Sequence, residues 1–185
     1  MNHLATAKED ILAASRDLIK ENGWAAVSIR AVASRCSVSA GTIYNYYESK
    51  ADLLSDTIES IWHEIFFHPE DEQIFHDVES CISWIYERLE YGNRQFPGFF
   101  SLHSFGFMRD EKTSGKKRMM KTWGHILNGL CEVLENDPKV RADVFDQEFT
   151  EKKFADILFS LILVSMIRQD YDPSSVLMLV KKTLY

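Results

Sequence analysis

Cysteine, proline and glycine are scarce in these 185 residues, with three, four and eight of each. Cys36, Cys81 and Cys131 are far apart and odd in number, which argues against a disulfide framework. None stands in a Cys-x-x-Cys pair, and none of the six histidines forms His-x-x-x-His, so no metal site is expected. No G-x-S-x-G, phosphate loop or dinucleotide fingerprint is present, so neither an enzyme nor a cofactor is expected. The most apolar stretch, Phe154 to Ile167, is broken by Asp156, Ser160 and Ser165 and falls short of the ~20 residues that span a bilayer. His3, Lys8 and Glu9 precede any apolar run, so no secretory signal is expected and the reading is cytoplasmic. No internal repeat appears.

Positive charge is also short. The net charge of −7 would by itself argue against a nucleic-acid partner. It is unevenly divided, however. Residues 1–50 hold six Lys/Arg against five Asp/Glu, and the remainder holds fifteen against twenty-three. DNA binding would therefore rest on a few placed contacts, with the acidic remainder held away from the duplex.

What is present is concentrated between Val27 and Lys50. Ser28 fits the N-cap of a short helix, because its hydroxyl can accept an amide of the first turn. Ile29, Val32 and Ala33 give that helix an apolar face. Cys36-Ser37-Val38 makes a tight turn, and Ser39 caps a second helix opened by the slim Ala40-Gly41-Thr42. This is the plan of a helix-turn-helix, whose second helix enters the major groove of DNA by its N-terminal end. Upstream, a helix is expected from Ala7 to Glu21, with Thr6 and Glu9 as its capping box and Gly23 as a left-handed stop. Ile11, Leu12, Leu18 and Ile19 make its inward stripe.

Downstream, the run Gly41-Thr42-Ile43-Tyr44-x-Tyr46-Tyr47-x-Ser49-Lys50 completes a longer pattern. Ile11 to Leu54 resembles the N-terminal domain of tetracycline-repressor (TetR) family regulators. The resemblance implies an all-α chain with a three-helix helix-turn-helix DNA-binding domain over residues 1–49. A C-terminal helical ligand-binding and dimerisation domain would fill residues 50–185. It implies a dimeric transcriptional regulator, a repressor released from its operator by a small, largely apolar ligand. The partners would be a double-stranded DNA operator, a second copy of the chain and an unknown small-molecule effector. Three positions depart from the family pattern. Ser37 stands where glycine is usual, at a cost of about 1–2 kcal/mol if the backbone is left-handed. Cys36 replaces alanine, and Tyr47 replaces phenylalanine.

Chemistry assigns roles along this face. Lys50 sits at a helix N-terminus, where the dipole disfavours a cation, so an external phosphate is the better explanation of its presence. Tyr46 and Thr42 can donate hydroxyls to phosphates. Arg30, Thr42 and Asn45 suit base edges: arginine for guanine, asparagine for adenine, a threonine methyl for thymine. Ala40 and Gly41 permit close approach. Tyr44 fits either a sugar-phosphate stack or the core. With the caps Ser28 and Ser39, these residues form the candidate DNA face. Cys36 reads as packing, or as a redox sensor if Arg35 lowers its pKa.

Beyond Leu54 the pattern is helical throughout. Helices are expected over Lys50 to about Phe67 and over Asp71 to Tyr91, the latter with Ile74, Val78, Ile82, Ile85 and Leu89 inward. A short aromatic helix is expected over Pro97 to Met108, and a longer one over Lys116 to Leu134. Asp137-Pro138 reads as the start of a further short helix. The last two helices are apolar nearly all round and need cover on every side. A partner subunit is the expected cover, through Phe154, Ile157, Leu158, Leu161, Ile162, Val176, Leu177 and Val180. A two-fold pair would set two recognition helices about 34–36 Å apart, one duplex turn. Trp84, Phe99, Phe100, His103, Phe107, Trp123 and His125 are candidate ligand-binding residues, since aromatic walls with a few polar groups suit an apolar ligand. The same aromatics also read as plain core. Two rival functions remain open: a ligand-independent regulator answering to a protein partner, and a dimeric small-molecule carrier without DNA binding.

Overall fold

The structure, a computed structural model, describes residues 7–66, 75–100 and 114–185, with side chains described for all of these except 114–122. The described residues form eight α-helices and no strand: α1 Lys8–Asn22, α2 Ile29–Arg35, α3 Ala40–Tyr44, α4 Lys50–Phe66, α5 Val78–Gln95, α6 Ser114–Asn136, α7 Glu151–Arg168 and α8 Ser174–Leu184. No helix among them is long and apolar enough to cross a membrane. The chain divides into two compact units. The first is Met1–His68 with Gln95–Pro97, and the second is Pro69–Arg94 with Gly98–Tyr185.

In the first unit α1 packs against α2 and α4, and α2 against α3. Ile11, Ile19, Val27, Val32, Ile43, Leu53 and Ile61 fill the space between them and are buried. The α1 start differs from the expected capping box. Ala7 precedes the first turn, and its amide donates to the carboxylate of Asp10 at 2.9 Å. Glu9, one residue too early to reach back, pairs instead with Arg16; Thr6 lies outside the described residues. Gly23 ends α1 at φ 76°, its amide donating to Ile19 at 2.9 Å. With ψ at 177° that backbone lies outside the left-handed helical region expected of the stop, in a region essentially reserved to glycine.

The turn between α2 and α3 bears out the concern over Ser37. Its φ is 56°, so a residue with a Cβ holds the left-handed position. The turn closes around it through the Val38 amide, which donates to the Ala33 carbonyl at 2.9 Å.

Charged pairs join α1 to α4. Glu64 accepts from Arg16 at 3.0 Å and from Lys20 at 2.6 Å, and Asp56 accepts from Lys8 at 2.5 Å. The Lys20 ammonium also lies 4.8 Å over the ring of Phe96, which is fully buried. Phe96 therefore completes the first unit although it follows α5 in the chain.

In the second unit α5 begins at Val78, later than the expected Asp71. Residues 75–77 are not helical, and 71–74, with Ile74, lie outside the described residues. Asp77 supplies the cap, accepting the Ser80 amide at 2.7 Å. The remaining inward residues, Val78, Ile82, Ile85 and Leu89, are buried as the periodicity requires. Of the expected aromatic helix only Phe99 and Phe100 fall within the described residues as helix. Asp137-Pro138 does not open a helix; residues 138–139 make a turn. Asp137 is buried and serves one local donor, the Lys139 amide at 2.9 Å, and two distant ones, the Val78 amide at 2.9 Å and the Tyr185 hydroxyl at 2.5 Å. Three fixed donors around one carboxylate satisfy it more fully than a helix start would. Burial and the Asp137 carboxylate together push the Tyr185 phenol well above its usual range.

Two measurements check this description. Ser37→Gly removes the left-handed penalty and is expected to raise stability by about 1–2 kcal/mol in urea titrations. Asp77 is held at about 2, below its ordinary 3.8, by the Lys139 ammonium and by the Ser80 amide and hydroxyl. A carboxyl with a lowered native pKa stabilises the fold fully above its unfolded value and loses that contribution as pH falls through the native one. Stability is thus expected to fall between about pH 4 and pH 2, and Asp77→Asn is expected to make this limb shallower.

Candidate nucleic-acid interface

The candidate face is built on serine caps of three successive helices. Ser28 Oγ accepts the Ala31 amide at 3.1 Å, which starts α2 and leaves Arg30 in its first turn. Ser39 Oγ accepts the Thr42 amide at 3.2 Å, which starts α3. Ser49 Oγ accepts the Asp52 amide at 3.2 Å and donates to the Asp52 carboxylate at 2.7 Å, which starts α4 with Lys50 as its first residue. Each cap satisfies an amide that the helix cannot use internally.

Exposure along this face is consistent. Arg30, Ser39, Gly41, Asn45 and Lys50 are exposed, while Ser28, Ala40 and Thr42 are half-buried. Tyr44 is 56% exposed and Tyr46 42%, so both belong to the surface, whereas Tyr47 is buried in the core. Gly41 has no left-handed backbone, and a Cβ there would meet only Ser39 Oγ at an ordinary 3.5 Å. Nothing inside the unit requires glycine at 41, and the space it leaves faces outward.

Charge singles out two of these residues. All six Lys/Arg of the first unit lie within residues 1–50. Lys8 is paired with Asp56, Arg16 with Glu9 and Glu64, and Lys20 with Glu64. Arg35 makes a two-pronged pair with Glu21 at 2.5 and 2.7 Å, which raises the guanidinium pKa and lowers that of the carboxyl. Arg30 and Lys50 are the two cations with no carboxylate partner among the described residues. Sequence alone did not reveal which cations are spent. Arg35 in particular turns toward Glu21 rather than toward Cys36, whose thiol is pushed up by burial and the Asp10 carboxylate. A raised pKa disfavours the thiolate that redox sensing needs.

Residues 11–57 match the family described as bacterial regulatory proteins, tetR family. The N-terminal unit is a tetR-family domain. The transcriptional regulator UidR of Escherichia coli K12 is 38% identical to the chain over 48 residues, 26% of this chain and 24% of UidR. The match thus spans about a quarter of that relative's length. Solved structures extend the likeness of fold to nearly the whole chain. FadR from Bacillus subtilis, determined with stearoyl-CoA, superposes with a TM-score of 0.66 at 18% identity, covering 97% of this chain and 100% of FadR. A TetR transcription regulator from Haloarcula marismortui gives 0.65 at 18% identity, covering 95% of each chain.

Among the described residues, the aromatic candidates of the second unit form small groups. Phe99 and Phe100 are buried, their centroids 5.2 Å apart, and Tyr171 lies 6.3 Å from Phe100. Trp84 packs on Phe75 at 5.2 Å, and Trp123 meets Phe159 edge-on at 5.8 Å. His125 is exposed and joins none of these groups; His103 and Phe107 lie outside the described residues. Two hydrogen-bonding atoms beside these rings, Trp123 Nε1 and the Tyr171 hydroxyl, are buried without a partner among the described residues. Burial alone holds the Tyr171 phenol at about 12, so it stays protonated at neutral pH.

The expected interface residues also divide. Phe154, Leu158, Ile162, Val176 and Val180 are buried in the chain's own core, while Leu161 and Leu177 are half-buried. Ile157 is exposed, as are Val164, Ile167, Met178 and Leu179 of the same two helices, which stand outside the expected interface set. Helical spacing puts Ile157, Leu161 and Val164 on the side of α7 opposite the buried Leu158, Ile162 and Met166.

Proposed function

We propose that the chain is a dimeric, DNA-binding transcriptional regulator, a repressor released from its operator by a small, largely apolar ligand. The observation that carries this reading is the charge pattern of the first unit: four cations neutralised internally, and the remaining two, Arg30 and Lys50, exposed in the first turns of α2 and α4. Lys50 is suited to a phosphate and Arg30 to a guanine edge, with Asn45 and Thr42 as further base contacts. Tyr46 adds a phosphate donor.

Pairing through the last two helices follows from their exposed apolar residues. Ile157, Leu161 and Val164 on α7, with Met178 and Leu179 on α8, offer a surface that a second copy would cover. Two reading heads on a two-fold axis match the repeat of the duplex. Trp123 Nε1 and Tyr171 Oη, buried without a partner among the described residues, are consistent with an effector site, because buried polar groups ordinarily have partners. The stearoyl-CoA in FadR makes acyl-CoA esters a reasonable first panel, beside flat aromatic compounds. A coupling of about 1–3 kcal/mol would change DNA affinity roughly 5- to 150-fold, enough for a switch.

Fluorescence anisotropy on the DNA just upstream of the chain's own gene, at two salt concentrations, tests the reading. Binding tighter than to scrambled DNA, and weakened by salt and by a compound of the panel, is the expected result. Binding that no compound alters favours the protein-partner reading, and failure to bind any duplex favours the carrier. In a dimer, Lys50→Ala removes one phosphate contact per head and is expected to reduce the slope of log affinity against log salt by about 2. Arg30→Ala is expected to cost about 1–3 kcal/mol per head and to relax specificity at one base of each half-site. Arg35→Ala, whose charge Glu21 already neutralises, is expected to leave the slope unchanged. The paired substitution Ile157→Glu with Met178→Glu is expected to give a helical monomer in analytical ultracentrifugation.

A further inference from the structure

At the tip of α3 one hydroxyl holds two atoms of the same residue. Ser39 Oγ lies 3.2 Å from the Thr42 amide, which it accepts, and 3.1 Å from Thr42 Oγ1. The first contact is a helix cap. The second constrains a side chain that the fold itself does not pack, since Thr42 is only half-buried. Threonine in a helix divides between two χ1 rotamers, and its hydroxyl and methyl occupy separate staggered positions on Cβ. Fixing the hydroxyl against Ser39 therefore fixes the methyl as well. The two residues between them, Ala40 and Gly41, carry no polar side-chain atom, so Thr42 alone brings side-chain recognition chemistry to the first turn of this helix. Phosphate contact has other providers nearby in Lys50 and Tyr46.

We propose that Thr42 reads a thymine through its Cγ2 methyl, and that Ser39 is the positioning residue that holds the methyl in place. The inference rests on the DNA-binding reading above and goes further by choosing between the two contacts open to Thr42. Thymine is the one base that presents a methyl group in the major groove, so an apolar probe held at the tip of α3 discriminates it from the other three. A flexible threonine would spread its methyl and hydroxyl over two placements and lose that discrimination.

The test starts from duplexes selected by the full-length protein from a random-sequence library. Each thymine of a selected duplex is then replaced by deoxyuridine, which deletes one methyl and leaves base pairing intact. Anisotropy on these duplexes should show one position per half-site where the wild-type protein loses about fourfold in affinity, the worth of one buried methyl group. Thr42→Val keeps a methyl and should keep both binding and the uracil penalty. Thr42→Ser keeps the hydroxyl and should lose the penalty. Ser39→Gly replaces the cap at a cost of only a few tenths of a kcal/mol; it should preserve the circular-dichroism melt and flatten the penalty. The proposal is overturned if Thr42→Val weakens binding while Thr42→Ser does not, which would make the hydroxyl the contact. It is equally overturned if no uracil position is penalised, or if Ser39→Gly keeps the full penalty. A library that enriches no duplex overturns the regulator reading itself, and this proposal with it.

Discussion

Glu64 bonds two cations of α1 at once, and much of the first unit follows from such pairings. With Asp56 on Lys8, it ties α4 along the length of α1 through ionic contacts as well as apolar ones. Glu21 and Asp17 dispose of Arg35 in the same way. A unit with six cations therefore presents two, and these two lie where side chains project from capped helix starts. Nucleic-acid affinity grows with the number of phosphates neutralised, so a unit that spends most of its charge internally has little sequence-independent attraction. In the proposed DNA-binding reading, discrimination would come from base contacts, and those demand that α2, α3 and α4 be held in fixed register.

That register is set by short-range devices. Three serine hydroxyls begin three successive helices, and the left-handed Ser37 turns the chain between two of them. The caps at Ser28 and Ser39 and the turn at Ser37 were readable in the sequence because capping and turn geometry depend on residues only a few positions apart. The serine at 37, in place of glycine, marked the strained position correctly. Where the local reading missed, it missed by one residue: Asp10 rather than Glu9 reaches back to the start of α1, a shift that side-chain spacing alone does not resolve.

The second unit was less legible because its organisation is long-range. Asp137 satisfies the first amide of α5 across 59 positions and also the hydroxyl of Tyr185, and no local pattern announces either partner. Its neighbour Pro138 gave a false signal of a helix start. In α7 the apolar residues occur all round the helix, so periodicity could not say which side meets the core. Packing decides it, burying Phe154, Leu158 and Ile162 and leaving Ile157 and Val164 outside. His125 sits on the exposed side of α6 for the same reason: only the packed neighbours of a helix reveal which of its polar residues face inward.

The position of Phe96 bears on how the protein can be divided. Its ring belongs to the first unit, beneath the Lys20 ammonium, although more than twenty residues of the second unit separate it in sequence from the end of α4. An N-terminal fragment cut after α4 would carry every candidate reading residue and still lack one wall of its core. The boundary of the first unit is thus discontinuous in the sequence. A chimera that transplants this unit onto another C-terminal domain would need the Gln95–Pro97 tripeptide grafted with it, or a substitute for the aromatic ring that Lys20 covers.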